Sequence, residues 1–229
     1  MRGLVKKFGD KTAVSGTSMT MYNGQILALL GHNGAGKTTT LSMLTGLLEP
    51  TAGQASVFGI DIFQNMDDMR KILGVCPQHD VLFDFLTCED HLRLFASFKG
   101  TPSDQIEGQV KQMLEEIDLT DVKHLLSKKL SGGQKRKLSV AIAMIGNSKI
   151  VMLDEPTSGM DTAARRRLWE MLKKNKQGRI VILTTHYMDE ADILGDRIAI
   201  MAEGDVQCTG SSLFLKNRYG VGYNLVISK

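Results

Sequence analysis

Hydrophobic and polar residues along the chain recur with two periods, and the shorter one predicts strands. Alternation over residues 18–22 predicts one strand, and the apolar run Gln25–Leu30 predicts another that ends at Gly31. The continuous apolar run at residues 150–153 is typical of a strand buried on both faces. Further strands are predicted at 55–58, Leu73–Cys76, 180–184, 198–202 and 206–208, the last two joined by a hairpin turn at 203–205.

The longer period predicts helices between these strands. Residues 37–47 should form a helix that opens directly from a glycine-rich turn, and residues 131–145 a helix with Ser131 as its N-cap. Between residues 88 and 126 two apolar helix faces are predicted, formed by Leu92, Phe95 and Ala96 and by Val110, Met113, Leu114 and Ile117. Further helices are predicted at 162–175 and Met188–Leu194. Strands that alternate with helices predict an α/β fold with a mainly parallel sheet.

Composition and charge exclude several classes of protein. The 229-residue chain is 42% hydrophobic and 23% charged, as in a soluble α/β protein. No stretch approaches the roughly 20 apolar residues that span a bilayer, and a net charge of +3 is too small to indicate nucleic-acid binding. Three cysteines without paired spacing favour a reducing compartment over a disulfide framework.

The glycine-rich turn at residues 31–38 is the first pattern with chemical content. It fits G-x-x-x-x-G-K-[ST] and lies between a predicted strand and a predicted helix, the context expected of a P-loop. Its glycines let backbone N–H groups converge on phosphate oxygens, and the helix points its positive end at the same place. Lys37 would bridge the β- and γ-phosphates and Thr38 would ligate Mg²⁺. The alternative is a structural turn with an exposed lysine.

Two acidic residues end the apolar strand at 150–153. A carboxylate pair at this place is costly unless a cation or a reaction uses it. We expect Asp154 to hold Mg²⁺, directly or through water, and Glu155 to polarise the water that attacks the γ-phosphate. The alternative is a pair of helix-capping acids.

A Ser-Gly-Gly turn at the start of the helix at 131–145 is a second predicted anion site. The sequence there is Leu130-Ser131-Gly132-Gly133-Gln134, and a helix N-terminus attracts phosphate. Since one nucleotide needs only one P-loop, the simplest account is that this turn serves the nucleotide of a facing subunit. Ordinary helix capping is the alternative.

The ordered set of motifs resembles the nucleotide-binding domain of ATP-binding-cassette (ABC) proteins over nearly the whole chain. Besides the P-loop, the 130–134 turn and the acidic strand end, the resemblance rests on Gln78 after Cys76-Pro77, Asp161 in Ser-Gly-Met-Asp, and His186 after two threonines. It implies the ABC ATPase fold: a P-loop core with a mainly parallel sheet, an N-terminal antiparallel β patch and a helical subdomain. We expect a single domain over 1–229, with the core at 1–87 and 147–229 and the helical subdomain at 88–146.

The resemblance also implies a role for each motif residue. In that family two domains sandwich two ATP molecules head to tail, so Ser131 and Gly133 would bind the γ-phosphate of the opposite domain's ATP and Asp161 would close the interface. Phe8, where tyrosine is usual, would stack on adenine, and a core strand residue is the alternative. The predicted catalytic residues are Glu155, His186, Lys37 and Gln78, and the predicted Mg²⁺ ligands are Thr38, Gln78 and Asp154. The predicted ATP-binding residues are Phe8, Gly31, His32, Asn33, Gly34, Ala35, Gly36, Lys37, Thr38, Thr39, Ser131, Gly132, Gly133, Gln134 and Asp161.

The stretches 74–80, 188–192 with 195–197, and 210–217 resemble the A subfamily, eukaryotic full transporters that move lipids. Residues 31–33 and 157–161 resemble its first nucleotide-binding domain more than its second. This implies a Mg-dependent ATPase that drives transport from the cytoplasmic face of a membrane, with a second nucleotide-binding domain and transmembrane domains as partners. A regulatory module with weak or no hydrolysis is the alternative. A DNA-repair or translation ATPase of the family is disfavoured, because no heptad run interrupts the chain. The basic run 165–167 is interpreted as a solvated helix face.

Overall fold

The computed structural model describes residues 1–146, 148–220 and 222, which form eleven strands and eight α-helices. The strands are β1 (Arg2–Phe8), β2 (Lys11–Thr17), β3 (Gln25–Leu30), β4 (Ala52–Gln54), β5 (Ser56–Val57), β6 (Ile60–Asp61), β7 (Leu73–Cys76), β8 (Ile150–Asp154), β9 (Ile180–Thr185), β10 (Arg197–Ala202) and β11 (Asp205–Gly210). The helices are α1 (Lys37–Leu44), α2 (Met66–Ile72), α3 (Cys88–Phe98), α4 (Ser103–Glu116), α5 (Gly132–Met144), α6 (Thr162–Lys174), α7 (Met188–Leu194) and α8 (Ser212–Tyr219).

A six-stranded sheet in the order β11-β10-β3-β9-β8-β7 forms the centre of the fold. All its neighbours are parallel except the β10–β11 hairpin. The register pairs Leu30 of β3 with Thr185 of β9, and Asp154 of β8 with Thr184 of β9. The carboxyl ends of three strands therefore meet at one edge, as is usual for ligand sites in parallel α/β sheets.

Alternating side chains give the sheet two separate hydrophobic faces. Ile150 and Met152 of β8 pack in one cluster with α1 and the N-terminal strands, whereas Val151 and Leu153 pack in the other with α5 and α6. The continuous apolar run that predicted a strand buried on both faces is thus explained. Both apolar faces predicted between residues 88 and 126 are buried or half-buried, and they lie in the second cluster.

The N-terminal antiparallel patch is present, but its strands differ from the prediction. It has the order β2-β1-β4, with a separate β5–β6 pair. The predicted strand at 18–22 is wrong, because this segment makes no sheet ladder. It connects β2 to β3, with the Met19 N–H bonded to the Met1 carbonyl (3.2 Å) and the Ser18 hydroxyl bonded to the Gly3 N–H (2.8 Å).

Helix α1 ends three residues earlier than predicted, and α5 begins where predicted. Gly46, with φ +73°, lies just beyond the C-cap of α1 and ends it. Ser131 caps α5 through a capping box with Gln134. The division into a core and a helical subdomain at 88–146 stays a prediction, since α3, α4 and α5 share one continuous hydrophobic cluster with the sheet.

Within the described ranges, no helix combines the length and the hydropathy that crossing a membrane requires. Cys76 and Cys88 are buried and Cys208 is partly buried, and none of the three forms a disulfide. Burial raises the pKa of Cys76 to about 12. The absence of a disulfide agrees with the spacing of the cysteines, and the two buried thiols pack as small apolar side chains.

Candidate active site

The turn between β3 and α1 has the conformation of a phosphate-binding loop. Gly34 and Gly36 adopt φ of +84° and +102°, which side chains rarely tolerate. A Cβ on Gly36 would also lie 2.6 Å from the carbonyl of Ala13. The resulting turn directs the N-terminus of α1 towards the carboxyl edge of the sheet, where its free N–H groups can receive an anion.

Lys37 lies inside this turn. Its ammonium donates to the carbonyls of Gly31 (2.7 Å) and His32 (3.1 Å), and the residue is buried. Burial lowers the pKa of Lys37 below its usual value, and the nearby charges of Glu155 and Asp154 oppose this shift. The structural alternative of an exposed lysine is therefore wrong.

Asp154 is held at the bottom of the site by two hydroxyl groups. Its Oδ1 accepts a hydrogen bond from Thr38 on α1 (3.2 Å) and another from Thr184 on β9. Asp154 is buried, so one carboxylate oxygen joins the P-loop helix to the centre of the sheet. This contact brings together two of the three predicted Mg²⁺ ligands.

Glu155 and His186 face each other across the ends of β8 and β9. The Glu155 backbone is left-handed, with φ +49°, and its N–H donates to the carbonyl (3.2 Å) and hydroxyl (3.0 Å) of Thr184. The Glu155 carboxylate is 3.1 Å from Nδ1 of His186. Since the His186 side chain is 34% exposed, it is not a buried core histidine. Neither acid caps a helix.

A cleft of ≈ 590 Å³ lies above the P-loop. Nine predicted site residues line it: Phe8, Asn33, Gly34, Gly36, Lys37, Thr38, Thr39, Gln78 and Glu155. Phe8, at the end of β1, is 49% exposed and the Lys6 ammonium lies 5.2 Å from its ring centroid, so it is not a core residue. Sequence reasoning missed five lining residues, Lys11, Thr12, Ala13, Glu203 and Gly204, because they come from two hairpins that carry no motif.

Five predicted residues lie apart from this cleft within the chain. Ser131 and Gln134 bond each other's backbone N–H groups in the α5 cap (3.3 and 2.9 Å), and Asp161 caps α6 through the Ala164 N–H (2.9 Å). That backbone hydrogen bond lowers the pKa of Asp161. Apart from the adjoining helix backbone, a Cβ added at Gly132 or Gly133 would meet no atom within 4 Å among the residues that the structure describes. Neither glycine is therefore required by packing inside one protomer.

The basic run 165–167 lies on a largely solvated helix face, as expected, with Arg166 and Arg167 exposed and Arg165 half-buried. The Arg165 guanidinium stacks over the Tyr187 ring at 4.3 Å, and Arg167 pairs with Asp118. Trp169 is buried and donates to Glu190 (3.1 Å). Two of the three arginines are thus engaged within the chain, and the run forms no free basic patch.

Comparison with known proteins gives consistent matches. The family model described as ABC transporter matches residues 14–158. The phospholipid-transporting ATPase ABCA3 of Mus musculus is 56% identical over 220 residues, 96% of this chain but 13% of that protein. ATP-binding cassette sub-family A member 2 of Homo sapiens is 51% identical over 225 residues, 98% of this chain and 9% of that protein. The chain therefore spans only a small part of the curated relatives that it matches.

Solved structures agree with these matches. An ATP binding subunit of an ABC transporter superposes with a TM-score of 0.88 at 28% identity, covering 96% of this chain and 92% of that one. A dimeric bacterial ABC transporter cassette superposes with a TM-score of 0.82 at 23% identity, covering 92% and 97%, and shows the fold alone. With the family model matching more than half of its residues, the chain belongs to the ABC transporter family, as a nucleotide-binding domain of the A subfamily.

Proposed function

We propose that this chain binds ATP with Mg²⁺ in the P-loop cleft, hydrolyses it, and thereby drives a membrane transporter. The observation that carries the proposal is the arrangement of Glu155 between His186 and the P-loop, at the mouth of a cleft that also contains Lys37. A domain that only held the nucleotide would not need this pair. The pair therefore favours hydrolysis over the regulatory alternative.

The donor set fits a hard divalent cation next to a triphosphate. Thr38 and Asp154 place a hydroxyl and a carboxylate oxygen together, and Gln78, whose side chain carries an amide group, lines the same cleft as Thr38. Oxygen ligands from few residues are what Mg²⁺ prefers, since it takes the remaining ones from water and phosphates. Bound there, Mg²⁺ would neutralise charge on the phosphate oxygens. We therefore assign Thr38, Asp154 and Gln78 as its ligands.

The chain's own residues perform the remaining tasks. The Lys37 ammonium exchanges its two carbonyl partners for phosphate oxygens, while the P-loop N–H groups hold the same phosphates. Glu155 orients a water molecule in line with the γ-phosphate, and His186 fixes the carboxylate through Nδ1. Phe8 offers an exposed ring face on which the adenine stacks.

The second anion site is assigned to a partner domain's nucleotide. The Ser131 turn and Asp161 do not line the chain's own cleft, and the space around Gly132 and Gly133 is open. A second domain placed head to tail would bring its γ-phosphate to this turn. The bacterial cassette with the same fold is dimeric.

Transport is proposed from the relatives and from one surface. ABCA3 is a phospholipid-transporting ATPase, so we propose lipid transport and a place at the cytoplasmic face of a membrane. Val81, Phe83 and Phe85 are exposed apolar side chains in the loop that follows Gln78. Contiguous apolar residues of this kind are suited to docking another protein. We therefore propose that this surface contacts the transmembrane domains. We propose no function in nucleic-acid binding for the chain.

Two substitutions test the proposal. Glu155→Gln should retain ATP affinity and lower kcat about 10²–10⁴-fold, the range typical of a lost general base. Lys37→Ala should weaken ATP binding itself, because it removes a charged phosphate contact. Chelation of Mg²⁺ should abolish turnover. Glu170→Gln, an exposed change on α6, is the matched control.

ATP binding by fluorescence titration and phosphate release are the measurements. Unchanged phosphate release from Glu155→Gln would remove Glu155 from this role. Binding of ATP by the unsubstituted chain without phosphate release, even with a partner domain present, would favour the regulatory alternative.

A further inference from the structure

Arg136, on the second turn of α5, has no role in the chemistry described above, yet it is among the most connected side chains of the site. It is 3% exposed and donates five hydrogen bonds. Its acceptors are the carbonyls of Pro77 (2.6 Å), Asp154, Glu155 (3.0 Å) and Pro156 (3.3 Å) and the carboxylate of Asp80 (3.0 Å). A guanidinium has five N–H donors in a fixed plane, so all of them are used.

Three of these acceptors are successive carbonyls. They converge on one guanidinium because Glu155, the middle residue, has the left-handed backbone that L-residues avoid. Such a conformation persists only where surrounding contacts over-determine it. From the sheet side Thr184 holds the Glu155 N–H, and from the α5 side Arg136 holds the carbonyls. Arg136 is thus placed to maintain the backbone that aims the Glu155 carboxylate.

The other edge of the guanidinium holds the loop of Gln78. Pro77 and Asp80 flank Gln78, and both accept from the same nitrogen of Arg136. The Asp80 carboxylate supplies the opposite charge that a buried cation needs. One side chain therefore joins the loop that carries Gln78 to the loop that carries Glu155. Lysine could not replace it, because an ammonium has three donors and no planar fork.

We propose that Arg136 is a positioning residue that fixes the backbone at Glu155 relative to the Gln78 loop. The consequence for hydrolysis rests on the role proposed for Glu155. None of the five hydrogen bonds of Arg136 goes to a P-loop residue, so its loss should misplace the attacking water while leaving ATP in place. A misplacement of about 1 Å can lower a rate by roughly 10²-fold.

The test compares Arg136→Met and Arg136→Lys with Lys137→Gln, a matched change of the next cation on α5, whose side chain is 12% exposed and pairs with the exposed Asp118. Two readouts are needed. Steady-state kinetics of the chain with MgATP separates kcat from KM, and amide hydrogen exchange of the nucleotide-free chain reports the loop at 155–158. There the Ser158 N–H bonds the Glu155 carbonyl (3.1 Å).

For Arg136→Met we expect kcat to fall at least about 10-fold with KM changed less than about 3-fold, together with faster exchange confined to 155–158 and 77–80. Arg136→Lys should be intermediate and Lys137→Gln unchanged. Unaltered kcat and exchange would overturn the proposal. Faster exchange throughout the sheet, together with kcat and KM changed by equal factors, would also overturn the proposal, because it indicates a merely structural role. If the unsubstituted chain does not hydrolyse ATP, the proposed function fails and the exchange of the two loops decides the positioning claim alone.

Discussion

Helix α5 and strand β7 approach each other closely at Gly74, so a side chain added there should lower the stability of the fold. A Cβ at this position would lie 1.8 Å from the Ala143 carbonyl oxygen and 2.8 Å from its carbon. Both atoms belong to the backbone of α5, so no rotamer change can relieve the clash. Gly74→Ala must therefore push α5 and β7 apart by about 1 Å, in a part of the core that is otherwise close-packed.

The magnitude follows from this displacement. Overpacking a core typically costs about 1–3 kcal/mol, and a clash between backbone groups lies at or above the upper end. We expect Gly74→Ala to lower the free energy of unfolding by about 2–4 kcal/mol and Tm by about 5–15 °C, since each kcal/mol shifts Tm by roughly 2–4 °C at this size. Calorimetry or circular dichroism measures both.

The matched control is Gly108→Ala. Gly108 lies in the middle of α4 and is exposed, and beyond the adjoining helix backbone a methyl group added to it would meet no described atom within 4 Å. The same substitution should here stabilise the chain by about 0.5–1 kcal/mol. Equal Tm values for Gly74→Ala and the unsubstituted chain would refute the reasoning, because they would mean that α5 and β7 separate without cost.

Further predictions concern two contacts of the site and one helix end. The Lys99 ammonium lies within hydrogen-bond distance of four acceptors, the Ile142, Ala143 and Ile145 carbonyls and the Ser148 hydroxyl, so Lys99→Met should cost about 2–4 kcal/mol in a chemical-denaturation assay. Burial, and secondarily the charge of Arg179, lower the pKa of Lys99 to about 7. The unfolded chain therefore binds more protons than the folded chain between about pH 7 and 10.5, so the stability that Lys99→Met loses relative to the unsubstituted chain should grow from pH 7 to 9. A loss of stability that stays constant over this range would contradict the lowered pKa. His186→Ala should lower kcat about 10–100-fold in phosphate-release assays with ATP affinity retained, because Glu155 loses its partner, and a loss of affinity instead would place His186 in binding. Thr184→Val removes a hydroxyl bonded to Asp154 and should lower Tm and raise the Mg²⁺ concentration needed for turnover, while a normal Mg²⁺ titration would exclude Thr184 from supporting the metal site.

Sequence patterns predicted the central sheet well because its signals are local. Gln25–Leu30, Leu73–Cys76 and Met188–Leu194 have the predicted bounds, since continuous apolar runs and caps need no knowledge of distant residues. The strand predicted at 18–22 was wrong because alternating hydrophobicity also occurs in the segment between β2 and β3, where the single residue Met19 is buried. Helices α2 and α8 were missed, as each buries only one side chain and has no apolar stripe.

The site was predictable to the extent that its residues belong to motifs. Lys37, Asp154, Glu155 and His186 follow strand ends, and parallel strands bring such ends together. Arg136 was not predicted, because its partners are backbone carbonyls of segments 18 and 59 residues away. Arg136 lies four residues before Val140 and seven before Ala143, so a charged residue on the buried face of α5 was the available signal.

The anchoring of α5 at its C-terminal end bears on how movement spreads through the domain. Lys99 and Arg179 bind its last carbonyls, and β7 abuts it at Gly74. Its thirteen residues form a rod about 20 Å long. A tilt of about 5° around the fixed end would carry the opposite end by nearly 2 Å over that length, enough to make or break a hydrogen bond. A tilt of α5 would therefore move the Ser131 turn together with the two loops that Arg136 joins to the helix.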